Sequence, residues 1–324
     1  MMRPCIYFKQ KPANDPFEGA RLRKTLKGAL ELEGIAYVDS LHASSDFLHV
    51  LSPESEDEAL EEKKDGKKIV VSAFYAEDDP NCSFLTKDSE GLIQHKLRGQ
   101  KLLSAADLIL VPNKECIDLL ETFGIKGEHI RVLTPGVNLA RFEKGDPLEE
   151  TLFRTYFRFD AENYLLSISD LRNKMVQKFL ENLAKSLPNY KIFCLGTDGK
   201  GKPSPSFLKR LSKQAPKNLV YSGIVDDDIY RSGMIGASGY LSFGPYHFDI
   251  LSVLEAHAAN VPVFGVGSAP DEASIVVNDP IAFASSLASV PQGIMIEGYR
   301  LAKASALSEL GPKLRATYEQ LLKK

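Results

Sequence analysis

The 324-residue chain is too long for one ordinary hydrophobic core and suits two domains of roughly 150 residues each. Its hydrophobic content of 44% and charged content of 26% are globular values, which exclude a disordered or fibrous protein. The formal net charge of −3 gives no electrostatic reason to bind nucleic acid, so no nucleic-acid partner is expected.

The sequence predicts a cytoplasmic location. No apolar run approaches the roughly 20 residues of a membrane-spanning helix. Residues 1–10 lead straight into a strand pattern and lack a secretory apolar region with a cleavage site. The cysteines are far apart and show no CxxC spacing, so they read as reduced structural thiols: Cys5, Cys82, Cys116 and Cys194. Neither a metal nor a cofactor is expected.

In the first part of the chain, short β-branched apolar runs alternate with longer amphipathic stretches, which is typical of βαβ units in a parallel sheet. Strands are predicted at residues 5–8, 47–51, 68–72, 108–111 and 130–133. Helices are predicted at residues 18–34, 92–106 and 114–123. The charge run at residues 54–68 is interpreted as a solvated helix face.

A composition shift follows at residues 138–162, which are charged and aromatic without a strand period and are interpreted as the connection between domains. A second α/β series follows, with strands at 164–168, 191–195, 219–221, 239–242 and 262–265 and helices at 175–186, 206–214 and 251–259. Residues 300–324 are helical in pattern, with a break predicted at Gly311-Pro312. The predicted fold class is therefore α/β, with two Rossmann-like doubly wound domains, residues 1–140 and 141–324, facing a central cleft. The final helix is expected to pack back on the N-terminal domain.

Several segments, in this order and spacing, resemble the retaining glycosyltransferases of family 4, which have the GT-B fold. They are residues 106–113, 123–125, 130–133, 135–142, 166–174, 221–227, 254–256 and 262–263. The N-terminal half is most similar to the branch that adds hexoses to diacylglycerol lipids in Gram-positive bacteria, through residues 17–21, 46–50, 77–79 and 83–84. The resemblance covers nearly the whole chain and implies a UDP-sugar donor on the C-terminal side and an acceptor on the N-terminal side.

The resemblance also implies a donor site. Arg172 and Lys174 match the family's basic pair, which stabilises the negative charge of the leaving diphosphate. Glu255 matches the glutamate that accepts hydrogen bonds from the nucleotide ribose. The nucleotide-sugar site is further expected to include Ile250, Leu251, Ser252, Gly223 and Val225. The alternatives at these positions are surface cations after a strand and a helix glutamate that pairs locally.

Three positions depart from the family pattern. His247 replaces a glutamate that contacts the donor sugar, and Ile250 replaces the glycine that lets backbone N–H groups approach phosphate. Phe74 stands where the family offers a histidine beside the sugar, and its ring has no hydrogen-bonding group. His247 and Phe74 are thus the degenerate catalytic positions, and His247 could replace the lost contact through its own imidazole.

The sequence therefore predicts a retaining hexosyltransferase that uses a nucleotide sugar and a lipid or saccharide acceptor such as a diacylglycerol glycolipid. The alternative is a catalytically impaired glycosyltransferase-like protein that acts as a scaffold with a protein partner. A metabolite-binding α/β protein unrelated to sugars is the third reading.

Basic side chains of the N-terminal domain suggest peripheral contact with the inner face of the membrane. They are Arg21, Arg23, Lys24 and Lys27 on the first helix, and Lys96, Arg98 and Lys101 on a later one. The alternative is an ordinary solvated helix face.

Overall fold

A computed structural model describes residues 2–9, 18–73, 83–87, 93–143, 147–199, 201–243 and 250–323. These residues form two parallel sheets, each flanked by helices, and one two-stranded antiparallel ribbon. Each large sheet has its own buried apolar clusters, so the chain has two α/β halves as the alternating sequence pattern predicted.

The N-terminal half is built around a five-stranded sheet of order β1-β2-β3-β6-β7. Its strands are β1 (Pro4–Tyr7), β2 (Phe47–Val50), β3 (Lys68–Ser72), β6 (Leu108–Val111) and β7 (Ile130–Val132). Its helices are α1 (Glu18–Leu32), α2 (Glu56–Lys64), α3 (Gln100–Ala105) and α4 (Lys114–Thr122), and short 3-10 turns lie at Pro53–Ser55 and Gly127–His129. All residues of β2 and β6 are buried, as expected for a parallel sheet covered on both faces.

The helix predicted at residues 92–106 is wrong over its first part. Residues Ile93–Leu97 form strand β5, which pairs antiparallel with β4 (Leu85–Lys87), and only α3 is helical. Gly99 separates the two elements with a φ of 63°, a left-handed conformation that glycine adopts without strain. The apolar spacing of this stretch suited both periods, and pairing with β4 decided for the strand.

The C-terminal half has a six-stranded sheet of order β10-β9-β8-β11-β12-β13. Its strands are β8 (Asn163–Ile168), β9 (Tyr190–Gly196), β10 (Leu219–Gly223), β11 (Gly239–Phe243), β12 (Val263–Val266) and β13 (Ile275–Val277). Its helices are α7 (Lys174–Ser186), α8 (Pro205–Gln214), α9 (Asp227–Ile235), α10 (Ile250–Ala258), α11 (Pro280–Ala288) and α12 (Gln292–Ala304). This is the strand order of a Rossmann sheet, and it reverses direction between β8 and β11.

Residues 138–162, the predicted connection between domains, contain two helices, α5 (Leu139–Phe142) and α6 (Pro147–Phe157). They pack against α9 and α10 of the C-terminal half. Phe153 is fully buried on α6, and its ring lies 5.3 Å from that of Tyr164 and 4.9 Å from that of Phe193. The predicted boundary between residues 140 and 141 falls inside α5.

The chain crosses between the two halves twice, and the two crossings run side by side. The Val137 N–H donates to the Ser305 carbonyl at 2.8 Å, and the Leu307 N–H donates to the Val137 carbonyl at 3.2 Å. Val137 and Ala306 form an isolated parallel bridge. The two chain crossings are thus hydrogen-bonded to each other.

The last helix, α13 (Leu307–Lys323), runs along α1 of the N-terminal half. The predicted break at Gly311-Pro312 is wrong, because the helix continues through both residues. A Cβ on Gly311 would lie 2.5 Å from Glu33 Cγ and 2.9 Å from the Ala29 carbonyl oxygen, so the glycine permits close contact with α1. Pro312 has no N–H to donate, so the helix lacks one hydrogen bond there. The burial of Leu310, Leu314, Tyr318 and Leu321 stabilises the helix and offsets this loss.

A buried hydrogen-bonded chain ties α13 to the N-terminal sheet. The Tyr318 hydroxyl lies 2.7 Å from His49 Nδ1, and His49 Nε2 lies 2.7 Å from Ser72 Oγ. Burial lowers the pKa of His49 to about 3, so the imidazole is neutral at pH 7. All three side chains are nearly inaccessible to water.

We expect Tyr318→Phe to lower the free energy of unfolding by about 1–3 kcal/mol, because it leaves a buried imidazole nitrogen without its partner. Urea unfolding followed by circular dichroism measures this change. Tyr299→Phe, on the exposed side of α12, is the control and is expected to leave the midpoint unchanged. An equal stability for both variants would contradict the role given to this hydrogen bond.

Candidate functional site

The predicted basic pair and the start of α10 lie at one edge of the C-terminal sheet. Arg172 and Lys174 follow β8, whereas Ile250 begins α10 after the neighbouring strand β11. The carboxyl ends of these two strands flank the point where the strand order reverses, which is where open α/β sheets bind their ligands. The segments that carry the predicted basic pair and the start of α10 therefore both follow the carboxyl ends of neighbouring strands.

Arg172 is held by Asp170, two residues earlier in the same loop. Asp170 is buried and accepts hydrogen bonds from Arg172 Nε at 3.1 Å, Nη2 at 2.7 Å and the backbone N–H at 2.9 Å. The fork geometry of such a pair fixes the guanidinium in one orientation. It also neutralises part of the charge that a diphosphate would meet.

Lys174 is the first residue of α7 and is exposed at the same edge. The Asn173 side chain caps the helix by accepting from the N–H groups of Met175 and Val176. Lys174 Nζ donates a hydrogen bond to Gln177 Oε1, a neutral partner, at 3.1 Å.

Glu255, the predicted ribose ligand, lies in α10 at the interface between the two halves and is only 4% exposed. Its Oε2 forms an ion pair with Arg21 of α1 and accepts a hydrogen bond from the Tyr230 hydroxyl of α9 at 2.7 Å. Arg21 also donates to Ser252 Oγ at 3.0 Å, and its guanidinium lies 4.5 Å from the centre of the Tyr230 ring. The carboxylate is thus bonded to both halves of the protein.

Burial raises the pKa of Glu255, and the Arg21 guanidinium and the Tyr230 hydroxyl act against this rise by favouring the charged form. Nearby Asp227 adds to the rise and Arg141 opposes it. Burial and Glu255 together raise the pKa of Tyr230, so its hydroxyl stays protonated and donates. Arg21 is therefore the main cation that favours ionisation of Glu255.

A second ion cluster lies beside the first. Asp227, at the start of α9, pairs with Arg141 of α5 at 2.8 Å and with Lys24 of α1 at 3.0 Å. Burial alone would raise the pKa of Asp227, but Arg141 and Lys24 outweigh it and lower the pKa. A cavity of about 120 Å³ separates the two halves here, and its charged lining consists of Arg21, Lys24, Arg141, Asp227 and Glu255.

The other predicted site residues lie at the start of α10 and at or just after the end of β10. The side chains of Leu251, Ile250 and Val225 are buried, and those of Ile250 and Val225 belong to an apolar core cluster of the C-terminal half. Ser252 is buried and accepts from Arg21, and Gly223 ends β10 beside Pro203. His247 and Phe74 lie outside the described residues.

Three residues that contact the candidate site residues were not identified as such from the sequence. Asp170 pairs with Arg172, and Tyr230 and Arg21 both bond to Glu255. Asp170 stands two residues before Arg172, a spacing that allows a local ion pair. Tyr230 lies one helical turn after Asp226, on the inner face of α9. The Arg21–Glu255 pair joins residues 234 positions apart, for which local sequence carries no pattern.

The structure removes Arg21 from the predicted basic face and places Lys96 and Arg98 outside a helix, whereas membrane contact itself stays a prediction. Arg21 is buried against Glu255, and Lys24 and Lys27 pair with Asp227 and Asp39. Lys96 lies on strand β5, and Arg98 pairs with Glu54 before α3 begins. Within the described ranges, no helix is both long and apolar enough to cross a bilayer. The same ranges contain no cluster of three or more metal-ligating side chains.

No protein-family profile matches the chain. The processive diacylglycerol alpha-glucosyltransferase of Acholeplasma laidlawii is 23% identical over 312 residues, which cover 92% of each chain. Among solved structures, HepE of Anabaena in complex with UDP and glucose aligns with a TM-score of 0.69 at 11% identity, over 98% of this chain and 100% of that one. Sucrose-phosphate synthase of Thermosynechococcus elongatus aligns with a TM-score of 0.71 at 12% identity, over 100% of both chains.

These alignments span both halves and the cleft between them. The chain has the GT-B fold of glycosyltransferases, with two Rossmann-like sheets facing each other. The predicted fold class is confirmed.

Proposed function

We propose that this protein is a glycosyltransferase that moves a hexose from a UDP-sugar to an acceptor such as a diacylglycerol glycolipid, with retention of configuration. The observation that carries the proposal is the topology of the C-terminal sheet: Arg172, Lys174 and the start of α7 follow β8, and α10, which contains Glu255, begins after the neighbouring β11 on the other side of the switch point. Cations and helix N-termini at one edge favour a diphosphate, and a carboxylate favours the ribose hydroxyls.

The donor assignment is supported by the solved structures. HepE was crystallised with UDP-glucose, and its chain aligns with this one from end to end. In the proposed reaction the bond between the anomeric carbon and the diphosphate oxygen breaks, the acceptor hydroxyl oxygen bonds to the same carbon, and the hydroxyl proton leaves with UDP. The positive groups at the switch point then stabilise the charge that develops on UDP. No metal is needed for this step, because Arg172 and Lys174 supply the positive charge.

The acceptor assignment comes from sequence similarity. The Acholeplasma relative is named for its action on diacylglycerol, and it covers nearly the whole chain. That name also specifies an alpha-glucoside, and formation of an alpha-glucoside from an α-linked donor such as UDP-glucose is retention. A lipid acceptor requires the protein to work at a membrane surface, and we propose the inner face.

The test is transfer of radiolabelled glucose from UDP-glucose to diacylglycerol in mixed micelles. We expect a labelled glycolipid from the wild type, and Lys174→Ala to raise the KM for UDP-glucose about ten- to a hundredfold through loss of a charge-assisted contact. Lys178→Ala removes an exposed cation from the same helix and is the matched control. Equal KM values for both variants would contradict the proposed diphosphate site.

A second candidate function is a catalytically impaired protein that keeps the fold and acts through a partner. It is favoured by the ion pair that engages one oxygen of Glu255, together with the departures at Phe74, His247 and Ile250. It predicts no hydrolysis of UDP-glucose above background. Hydrolysis by the wild type that is lost in Glu255→Ala would reject this candidate.

A further inference from the structure

The two oxygens of Glu255 have different surroundings. Arg21 and Tyr230 both bond to Oε2, and among the described residues none bonds to Oε1. Glu255 also borders the cavity between the two halves. Oε2 is therefore anchored, whereas Oε1 has no hydrogen-bond partner among the described residues and belongs to a side chain that lines the cavity.

Arg21 is itself held in a single orientation. It donates to Ser252 Oγ one turn earlier on α10, and its planar guanidinium lies over the Tyr230 ring. A guanidinium fixed at three points places its carboxylate partner more accurately than a mobile cation would. Because Arg21 lies on α1 and Glu255 on α10, this arrangement exists only while the two halves are together.

We infer that Arg21 is a positioning residue of the donor site: from the N-terminal half it orients Glu255 and serves as its counter-ion, so that Oε1 accepts a ribose hydroxyl. The inference rests on the proposed function and adds to it a contribution of the N-terminal half to nucleotide binding. Arg21 acts through Glu255 and does not touch the nucleotide.

A consequence for pH follows from the groups that surround Glu255. These groups are Arg21 of α1, Tyr230 and Asp227 of α9 and Arg141 of α5. Burial raises the pKa of Glu255 and Arg21 opposes the rise, so removal of Arg21 moves this pKa further up. If the carboxylate form binds the ribose, UDP affinity in Arg21→Met decreases on acidification at a higher pH than in the wild type.

The experiment is a double-mutant cycle read by UDP titration calorimetry between pH 5.5 and 8. Its members are the wild type, Arg21→Met, Glu255→Gln and the double variant. We expect Arg21→Met to weaken UDP binding roughly 3- to 100-fold, and the double variant to bind like Glu255→Gln alone, because both changes remove one interaction. Glu255→Gln has no titrating group at position 255, so its pH profile includes the titration of the UDP phosphate without that of Glu255. The pH profiles of the other proteins are compared with it.

Two further variants make the test specific. Arg21→Lys keeps the cation and is expected to recover most of the affinity. Lys27→Met removes a cation from the same helix, paired with Asp39 away from the cavity, and is expected to leave the Kd unchanged. The double variant Arg21→Met with Glu255→Gln has neither charge of the pair. If Arg21→Met alone fails to fold, the double variant is compared with Glu255→Gln, and equal UDP affinities are expected.

The outcomes separate the two proposals. A wild type that binds no UDP would overturn both. A wild type that binds UDP, with Arg21→Met binding equally well or more tightly, would overturn only the inference, and tighter binding would show that Arg21 competes with the nucleotide. Additive effects in the double variant would likewise contradict action through Glu255.

Discussion

Arg21→Met is expected to lower the free energy of unfolding by about 3–5 kcal/mol, the largest single effect on stability that the site predicts. The substitution leaves the Glu255 carboxylate buried at the interface with only the Tyr230 hydroxyl as a partner. A buried charge without its counter-ion keeps its desolvation cost and loses the attraction that offset it. Because the chain has no tryptophan, urea unfolding is followed by circular dichroism.

The matched double variant Arg21→Met with Glu255→Leu removes both charges and keeps an apolar side chain at each position. We expect it to recover most of the lost stability, since well-packed hydrophobic residues replace buried ion pairs at little cost. Arg300→Met breaks an exposed pair with Glu297 and is expected to leave the midpoint unchanged. A single variant as stable as the wild type would mean that the Arg21–Glu255 pair is not buried in solution.

Gly196→Ala is expected to destabilise the C-terminal half by about 1–3 kcal/mol and to weaken UDP binding at least roughly tenfold. A Cβ at this last residue of β9 would lie 1.8 Å from the Ser169 carbonyl oxygen and 2.9 Å from its carbon. Because the neighbour is backbone, the loop after β8 has to move. That loop carries Asp170 and Arg172, so the candidate diphosphate cation moves with it.

Thermal unfolding and UDP titration of the same sample measure the two effects of this substitution. Gly293→Ala is the control, because a Cβ on that exposed helical glycine meets no atom within 4 Å. It is expected to change stability by less than about 1 kcal/mol, in the stabilising direction. If Gly196→Ala kept full UDP affinity, the loop after β8 would not contribute to the nucleotide site.

The architecture was largely predictable from sequence because a parallel sheet buries its strands completely. Short apolar runs such as residues 108–111 and 164–168 favour a buried strand, and the amphipathic stretches between them have the helical period. Prediction failed where local pattern was ambiguous. The first part of residues 92–106 is a strand, because β5 pairs with β4. Pro312 lies inside a continuous helix, because α13 packs on α1.

The candidate site was predictable only in part. Parallel-strand topology places Arg172 and Lys174 after β8 and the start of α10 after the neighbouring β11, as the order of motifs suggested, whereas their role in binding stays a prediction. Partners from the other half were not predictable, because Arg21 reads as a surface cation in an amphipathic helix until tertiary structure buries it. The same limit applies to Lys24, whose partner Asp227 lies across the cleft.

The geometry gives the cleft a specific role in the proposed reaction. The C-terminal sheet supplies the cations and helix starts, and the N-terminal half supplies Arg21, which orients the candidate ribose ligand. The hydrogen-bonded crossings at Val137 and Ala306 are where the two halves are joined. Separation of the halves would remove Arg21 from Glu255, because the two residues lie on α1 and α10.

The central claim is that this cleft binds a nucleoside diphosphate, and titration calorimetry of UDP into the wild type and Glu255→Ala tests it most directly. We predict saturable binding of one UDP per chain, weakened at least roughly tenfold in the variant by loss of the ribose contact. Absence of binding at millimolar UDP, or equal affinity of the two proteins, would contradict the account.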